Sequence, residues 1–372
     1  MKIVFVSNYF NHHQAFLSEE LYRLTSGSYT FIQTESMTEE RLNLGWRINK
    51  LPEYVKESYG GEQNYNECLQ LINDADVVIK GSGPNSIIKQ RLKDGKLIFR
   101  YTERIYKNAK NVLTLPLRFI KYHLYNFFSR NVFLLCASAY AKNDYKRTLN
   151  YLGRCYKWGY FPEKKKYDDI DSLIEKKRPN SLLWTARLID WKHPEIPIEI
   201  AKRLKEDGYE FTLDMIGVGS LENKVKDLIS KHGLEDKVRL LGSMSPDKVR
   251  EKMEESEVFL FTSDRNEGWG AVLNESMNSC CAVIANKAIG SVPYLIEDGE
   301  NGLTYSGEKI DRIYEQVKRL LDDKELRKQL GKKAYETIAT EWNAEVAAER
   351  FIELVNSGLN KDLFKSGPCS RA

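Results

Sequence analysis

Two glutamates, Glu267 and Glu275, stand with seven residues between them, and Gly268, Trp269 and Gly270 fall in that interval. A short apolar run, 258–262, precedes the pair and reads as a buried strand. The spacing predicts a loop that holds Glu267 and a helix that begins near Ala271. Glu275 then lies about one turn into that helix and can point back towards the same loop. The glycines let backbone N–H groups come close to a ligand, and a helix N-terminus favours anions and hydrogen-bond acceptors. Two carboxylates around exposed amides suit a ligand rich in hydroxyls, such as a sugar or a ribose. A loop followed by an ordinary surface helix would give the same spacing without any chemistry.

The elements that must hold these residues follow a regular pattern. Apolar runs at 181–185, 211–216, 238–241, 258–262, 282–285 and 303–305 alternate with amphipathic stretches such as 222–231 and 247–255. The first half repeats the scheme with runs at 3–7, 30–33, 77–80, 97–101 and 132–138. Strands that alternate with helices indicate βαβ units and a parallel sheet. Apolar runs without alternation fit strands buried on both faces. Each half therefore reads as a doubly wound α/β unit, whose ligands bind beyond the carboxyl ends of the strands. We expect an N-terminal domain over 1–165, a charge-rich linker over 166–180 and a C-terminal domain over 181–340. A helix over 341–358 is expected to pack back towards the N-terminal domain, with a frayed tail after Gly358.

Composition narrows the function classes. With 42% hydrophobic and 30% charged residues among 372, the chain reads as globular. The apolar stretch over 112–128 is interrupted by Arg118 and Lys121, short of the roughly 18 apolar residues of a spanning helix. The first apolar run is too short for a signal peptide, so a cytoplasmic location is expected. Six cysteines form no CxxC pair, which indicates reduced thiols and no structural zinc. The triplets Asp74-Ala75-Asp76 and Asp169-Ile170-Asp171 precede a strand or lie in the linker, and read as solvated charge.

Residues 1–160 carry 23 Lys and Arg against 14 Asp and Glu, whereas the remainder is net negative. Such asymmetry suggests that the first half meets an anionic partner. Residues 104–143 contain no acidic residue and interleave Arg104, Lys107, Lys110, Arg118, Lys121, Arg130 and Lys142 with leucines and aromatics including Leu113. That mixture suits peripheral contact with an anionic inner leaflet; a domain helix with one basic face is the alternative. No nucleic-acid recognition motif accompanies the charge. The first strand runs into Asn11-His12-His13-Gln14 and not a GxGxxG turn, which argues against a dehydrogenase.

The segment Glu267-Gly268-Trp269-Gly270 followed by Glu275 resembles the E-x7-E signature of retaining glycosyltransferases of family 4, which have the GT-B fold. Further segments fit in order: Arg187-Leu188 with Lys192, Gly217-Val218-Gly219, Leu241-Gly242, and 297–303 as a DGxNGxL-like stretch. Thr185-Ala186 stands where that family frequently has glycine. The resemblance is close over 181 to about 306 and extends to the N-terminal half by pattern only. It implies two Rossmann-like domains facing across a cleft. Donor binding would fall to Glu275 at the ribose, to Gly268, Trp269 and Gly270 at the sugar, and to Gly217, Gly219 and the backbone near Met244 at the nucleotide. Glu267 would lie beside the transferred sugar, and Arg187 and Lys192 would neutralise the diphosphate. In the N-terminal half, Asn11 and His13 would line the acceptor, and Glu103 would replace a histidine that many relatives carry near the donor sugar.

The implied reaction is transfer, with retention, of a hexose or N-acetylhexosamine from a UDP- or GDP-linked donor, without a metal cofactor. The acceptor would be a glycan or polyprenyl-linked molecule of bacterial surface polysaccharide synthesis. A sugar-nucleotide epimerase and a non-catalytic nucleotide-sugar binder are the alternatives.

Overall fold

The computed structural model describes residues 1–39, 50–107, 115–307 and 309–372. The chain divides into two compact units: Met1–Glu163 with Asn343–Ala372, and Lys164–Trp342.

In the first unit, seven parallel strands lie in the order β3-β2-β1-β4-β5-β6-β7. They are β1 (Ile3–Ser7), β2 (Tyr29–Gln33), β3 (Val55–Glu57), β4 (Val77–Lys80), β5 (Ile98–Thr102), β6 (Val132–Cys136) and β7 (Cys155–Lys157). Every residue of β1 and β4 is buried, as strands covered on both faces require. The chain first builds outwards from β1 through β2 to β3, then crosses back to β4 and builds the other way. The crevice at that reversal opens beyond the carboxyl ends of β1 and β4. The sequence pattern missed β3 and β7. Each is three residues long and charged in part, so neither presents an apolar run.

The tail beyond Gly358 is held, contrary to the expectation of fraying. Lys157 N donates to Ser370 O at 2.8 Å, Cys369 N to Lys157 O at 2.9 Å and Ala372 N to Cys155 O at 3.1 Å. The tail thus satisfies the open edge of β7, and Cys369 is 2% exposed. The helix Ala344–Asn356 starts at Asn343, whose side chain accepts from Val346 N at 3.0 Å. Phe351 from this helix packs against Phe99 and Trp158.

The second unit has six parallel strands in the order β10-β9-β8-β11-β12-β13. These are β8 (Arg178–Thr185), β9 (Thr212–Ile216), β10 (Val238–Leu240), β11 (Ser256–Phe261), β12 (Ala282–Asn286) and β13 (Leu303–Tyr305). Leu182, Leu213, Val258 and Ala282 meet across the sheet and sit in a single core with Ile200, Leu204 and Val317 from the flanking helices. Order reverses between β8 and β11, which places this unit's crevice at their carboxyl ends.

The stretch 166–180, expected as linker, differs from that reading. It contains the helix Ile170–Glu175, capped by Asp169, and the first residues of β8. Lys177 is 5% exposed, and its amino group donates to the carbonyls of Met253, Glu254, Ser256 and Ser279. Charge-rich sequence is ordered here because each buried cation finds acceptors. Asp74 and Asp76 are exposed, and Asp76 accepts from Lys2 N. All six cysteines are buried and unbridged.

Candidate active site

The loops that follow β8, β9, β10 and β11 are laced by backbone hydrogen bonds. Ala186 N donates to Ile216 O at 3.1 Å, Leu188 N to Val218 O at 3.0 Å, Gly217 N to Gly242 O at 2.8 Å and Asp264 N to Trp191 O at 3.0 Å. Side chains reinforce this: Trp184 Nε1 donates to Thr262 Oγ1, and Thr262 Oγ1 donates to Lys192 O, both at 2.8 Å. The two glycines of the turn after β9 are needed for this approach. A Cβ on Gly217 would lie 1.9 Å from Ala186 O, and one on Gly219 2.3 Å from Leu188 O. Met244 lies in the loop after β10 and is partly buried.

At the β8–β11 crevice the structure brings Lys192 and Glu267 together. Lys192 Nζ donates to Glu267 Oε2, and Ser263 Oγ donates to the same oxygen at 3.0 Å. Both partners are more than nine-tenths buried. Trp191 gathers the cations, with Lys192 Nζ 4.3 Å and the Arg187 guanidinium 6.0 Å from its ring centroid. Glu275 sits in the first turn of the helix Val272–Asn278, with Ala271 at its N-cap, as the spacing predicted. Gly270 has φ +80°, and a Cβ there would fall 2.3 Å from the Phe261 ring. Only glycine lets the loop pass over that ring with its amide unobstructed.

Two of the expected site residues are held by other contacts. Trp269 is fully buried, its indole donates to Asn274 Oδ1 at 2.9 Å, and it packs beside Tyr294 and Trp342. Its ring therefore holds the loop in place, and the Trp269 carbonyl accepts from Ser291 Oγ. Asn11 is likewise engaged: its side chain accepts from His13 N at 2.9 Å and caps the helix His12–Leu24.

In the first unit, Glu103 follows β5 and His13 follows β1. Tyr160 joins them: its hydroxyl donates to Glu103 Oε1 at 2.7 Å, and its ring stacks on His13 with centroids 6.0 Å apart. Lys107 Nζ lies 3.2 Å from Glu103 Oε2. Tyr101 backs Tyr160 edge-on, and the desolvation of its phenol pushes its pKa well up and keeps it neutral. Sequence reasoning missed Tyr160, Trp191 and Ser263. Ser263 was recognisable, as it stands just beyond the β11 run, whereas Tyr160 is distant in sequence from the residues it joins.

Among the described residues no group of three or more His, Cys, Asp or Glu is placed to hold a metal ion. No described helix is long and apolar enough to cross a membrane. Lys110 and Leu113 of the basic stretch lie outside the described residues.

Residues 166–337 match the model of the family Glycosyl transferases group 1. The chain carries a glycosyl transferases group 1 domain. The domain spans Arg187, Lys192, Glu267 and Glu275. An N-acetylgalactosamine-N,N'-diacetylbacillosaminyl-diphospho-undecaprenol 4-alpha-N-acetylgalactosaminyltransferase from Campylobacter jejuni is 33% identical over 154 residues, 41% of this chain and 40% of that protein. The alpha-D-kanosaminyltransferase of Streptomyces kanamyceticus is 29% identical over 169 residues, 45% of this chain and 43% of that protein. The aligned part is thus less than half of each of these relatives. Among solved structures, Anabaena HepE in complex with UDP superposes with a TM-score of 0.71 at 16% identity, covering 96% of this chain and all of that one. The pneumococcal O-GlcNAc transferase GtfA with UDP and GlcNAc gives 0.67 at 13% identity over 96% of this chain and 99% of that one. At such identities the likeness shows the fold alone, the GT-B fold of two Rossmann-like domains, of which the second is the group 1 domain.

Proposed function

We propose that this protein is a retaining glycosyltransferase that moves a hexose or N-acetylhexosamine from a UDP- or GDP-linked donor to a glycan or lipid-linked acceptor of polysaccharide synthesis. The observation that carries this reading is the buried Lys192–Glu267–Ser263 cluster at the β8–β11 crevice, with Arg187 gathered to it by Trp191. A nucleoside diphosphate leaves as positive charge grows at the anomeric carbon. Fixed cations at the departing oxygens lower that barrier, and such preorganised electrostatics is usually the largest catalytic contribution. In this scheme Arg187 and Lys192 face the diphosphate, and Glu267 and the amides of Gly268, Trp269 and Gly270 hold the sugar. Glu275 takes the ribose hydroxyls, and the turn at Gly217 and Gly219 and the backbone near Met244 meet the nucleotide. Donor binding is assigned to protein groups alone, without a metal ion.

On the acceptor side the proposal rests on His13, Tyr160 and Glu103. The polar trio after β1, β5 and β7 suits an acceptor hydroxyl, with Glu103 as a catalytic carboxylate. Residues 104–143 supply peripheral contact with an anionic membrane surface, where a lipid-linked acceptor would lie. The Campylobacter jejuni relative acts in name on a diphospho-undecaprenol-linked sugar and the Streptomyces kanamyceticus relative transfers kanosamine in name, which supports sugar transfer and leaves the sugar to experiment. Incubation with a panel of UDP- and GDP-sugars, read by release of the nucleotide, tests the reading. Release from one member, lost in Arg187→Ala and Glu267→Gln, is expected. Full release by both variants would refute the site assignment.

A further inference from the structure

The first unit turns an apolar face with cationic flanks to solvent, apart from the residues assigned to donor and acceptor. No residue of the helix Leu115–Tyr125 is buried. Its tyrosines and arginine face the unit. Tyr122 packs edge-on against Tyr145 at 5.1 Å, Arg118 lies over Tyr106 at 4.6 Å, and Tyr125 lies beneath Arg100 at 4.7 Å. Its aliphatic residues point the other way: Leu117 is 71%, Ile120 54% and Leu124 58% exposed. At 3.6 residues per turn these three fall within about 60° of each other. A surface helix ordinarily buries such a stripe and exposes its polar face; here the pattern is inverted.

Two further segments extend the face. Directly after the helix, Phe127 and Phe128 adopt φ +48° and +53°, a region bulky residues seldom occupy, and both rings remain exposed. The loop over 146–152 is fastened alongside. Asn126 Nδ2 donates to Tyr151 OH at 2.9 Å, and Arg154 Nη1 donates to Arg130 O at 2.8 Å. This loop presents Leu149 and Leu152, both more than half exposed.

Charge selects the partner. Residues 104–154 hold ten Lys and Arg and one acidic residue, Asp144. Asp144 is 5% exposed, accepts from the amides of Ile105 and Tyr106 and pairs with the equally buried Arg104 side chain at 3.8 Å, so it offsets that one cation and leaves the others. A second copy of the chain would set like charges against each other. An anionic bilayer meets both features, with acyl chains for the leucines and phenylalanines and headgroups for the cations.

We propose that the helix Leu115–Tyr125, the turn at Phe127 and Phe128, and the loop 146–152 form one bipartite surface that docks on an anionic lipid bilayer. This rests on the peripheral-membrane part of the reading above and adds the inserting residues and the second segment. Flotation of the full chain tests it, with vesicles of phosphatidylcholine alone and mixed with phosphatidylglycerol. The protein is expected to float with the mixture at low salt and to stay behind with phosphatidylcholine. In about 1 M salt, where the screening length is about 3 Å, binding should largely disappear. Leu117→Ser/Ile120→Ser and Leu149→Ser/Leu152→Ser should each lower the partition coefficient at least about ten-fold, with unchanged melting. No flotation of the wild type, or equal flotation of the variants, would overturn the proposal. So would a dimer in lipid-free buffer that Leu117→Ser/Ile120→Ser abolishes, which would assign the face to a second copy. Donor hydrolysis in lipid-free buffer is measured on the same samples, so loss of the surface is told apart from failure of the transferase reading.

Discussion

Replacing Lys192 by Met removes the cation that Glu267 faces while it keeps most of the side-chain volume. Both residues are more than nine-tenths buried, and the partner left behind is a carboxylate with Ser263 Oγ at 3.0 Å. Breaking one side of a buried ion pair costs about 3–5 kcal/mol. Ser263 continues to donate, so the lower end, about 3 kcal/mol, is expected. For a unit of this size that lowers the melting midpoint by about 6–12 °C. Glu267→Gln leaves the ammonium against the Trp191 ring and should cost less. The double variant Lys192→Met/Glu267→Gln buries no unpaired charge, so its cost should fall short of the sum by about 1.5 kcal/mol or more. Urea unfolding followed by tryptophan fluorescence is the assay, since Trp184, Trp191, Trp269 and Trp342 all belong to the second unit. Strictly additive costs would refute the idea that the pair is an electrostatic couple. Turnover of Lys192→Met should also fall about a hundred-fold or more, as for loss of one group that stabilises developing charge.

Gly217→Ala should destabilise the second unit by at least about 2 kcal/mol and abolish the thermal shift given by UDP or GDP, because its Cβ would overlap Ala186 O. Tyr160→Phe removes the hydrogen bond to Glu103; a bond to a charged group is worth about 1.5–3 kcal/mol, so transfer to acceptor should drop roughly ten- to a hundred-fold at unchanged nucleotide affinity. Burial lowers the His12 pKa to about 4. The folded state then holds fewer protons than the unfolded state between about pH 4 and 6.5, so this contribution to stability is present above that window and lost as pH falls through it. His12→Gln should flatten the acid side of a pH–stability profile measured by urea unfolding.

The donor side was legible in sequence because its chemistry follows the strands that carry it. Arg187 and Lys192 come directly after the β8 run, and Glu267 and Glu275 after the β11 run; the structure joins Lys192 to Glu267 and sets Arg187 and Lys192 against Trp191. Glycine at 217, 219 and 270 was legible for the same reason, since each marks a place where backbone passes within reach of another loop or ring. Residues whose side chains face inward could not be separated from those facing the crevice: the Trp269 ring packs in the interior, and the Asn11 side chain caps a helix. The edge strands β3 and β7 and the ordered tail escaped because pairing, not apolar periodicity, defines them. The basic, aromatic character of 104–143 was plain, but the contribution of Leu149 and Leu152 depends on contacts such as Asn126 with Tyr151 that no local pattern records.

The most direct test is a crystal of the protein soaked in turn with UDP and GDP. The diphosphate of one of them is expected against Lys192 and Arg187, with the ribose hydroxyls at Glu275 and Glu267 released from Lys192. A nucleotide bound elsewhere, with the Lys192–Glu267 pair undisturbed, would contradict it.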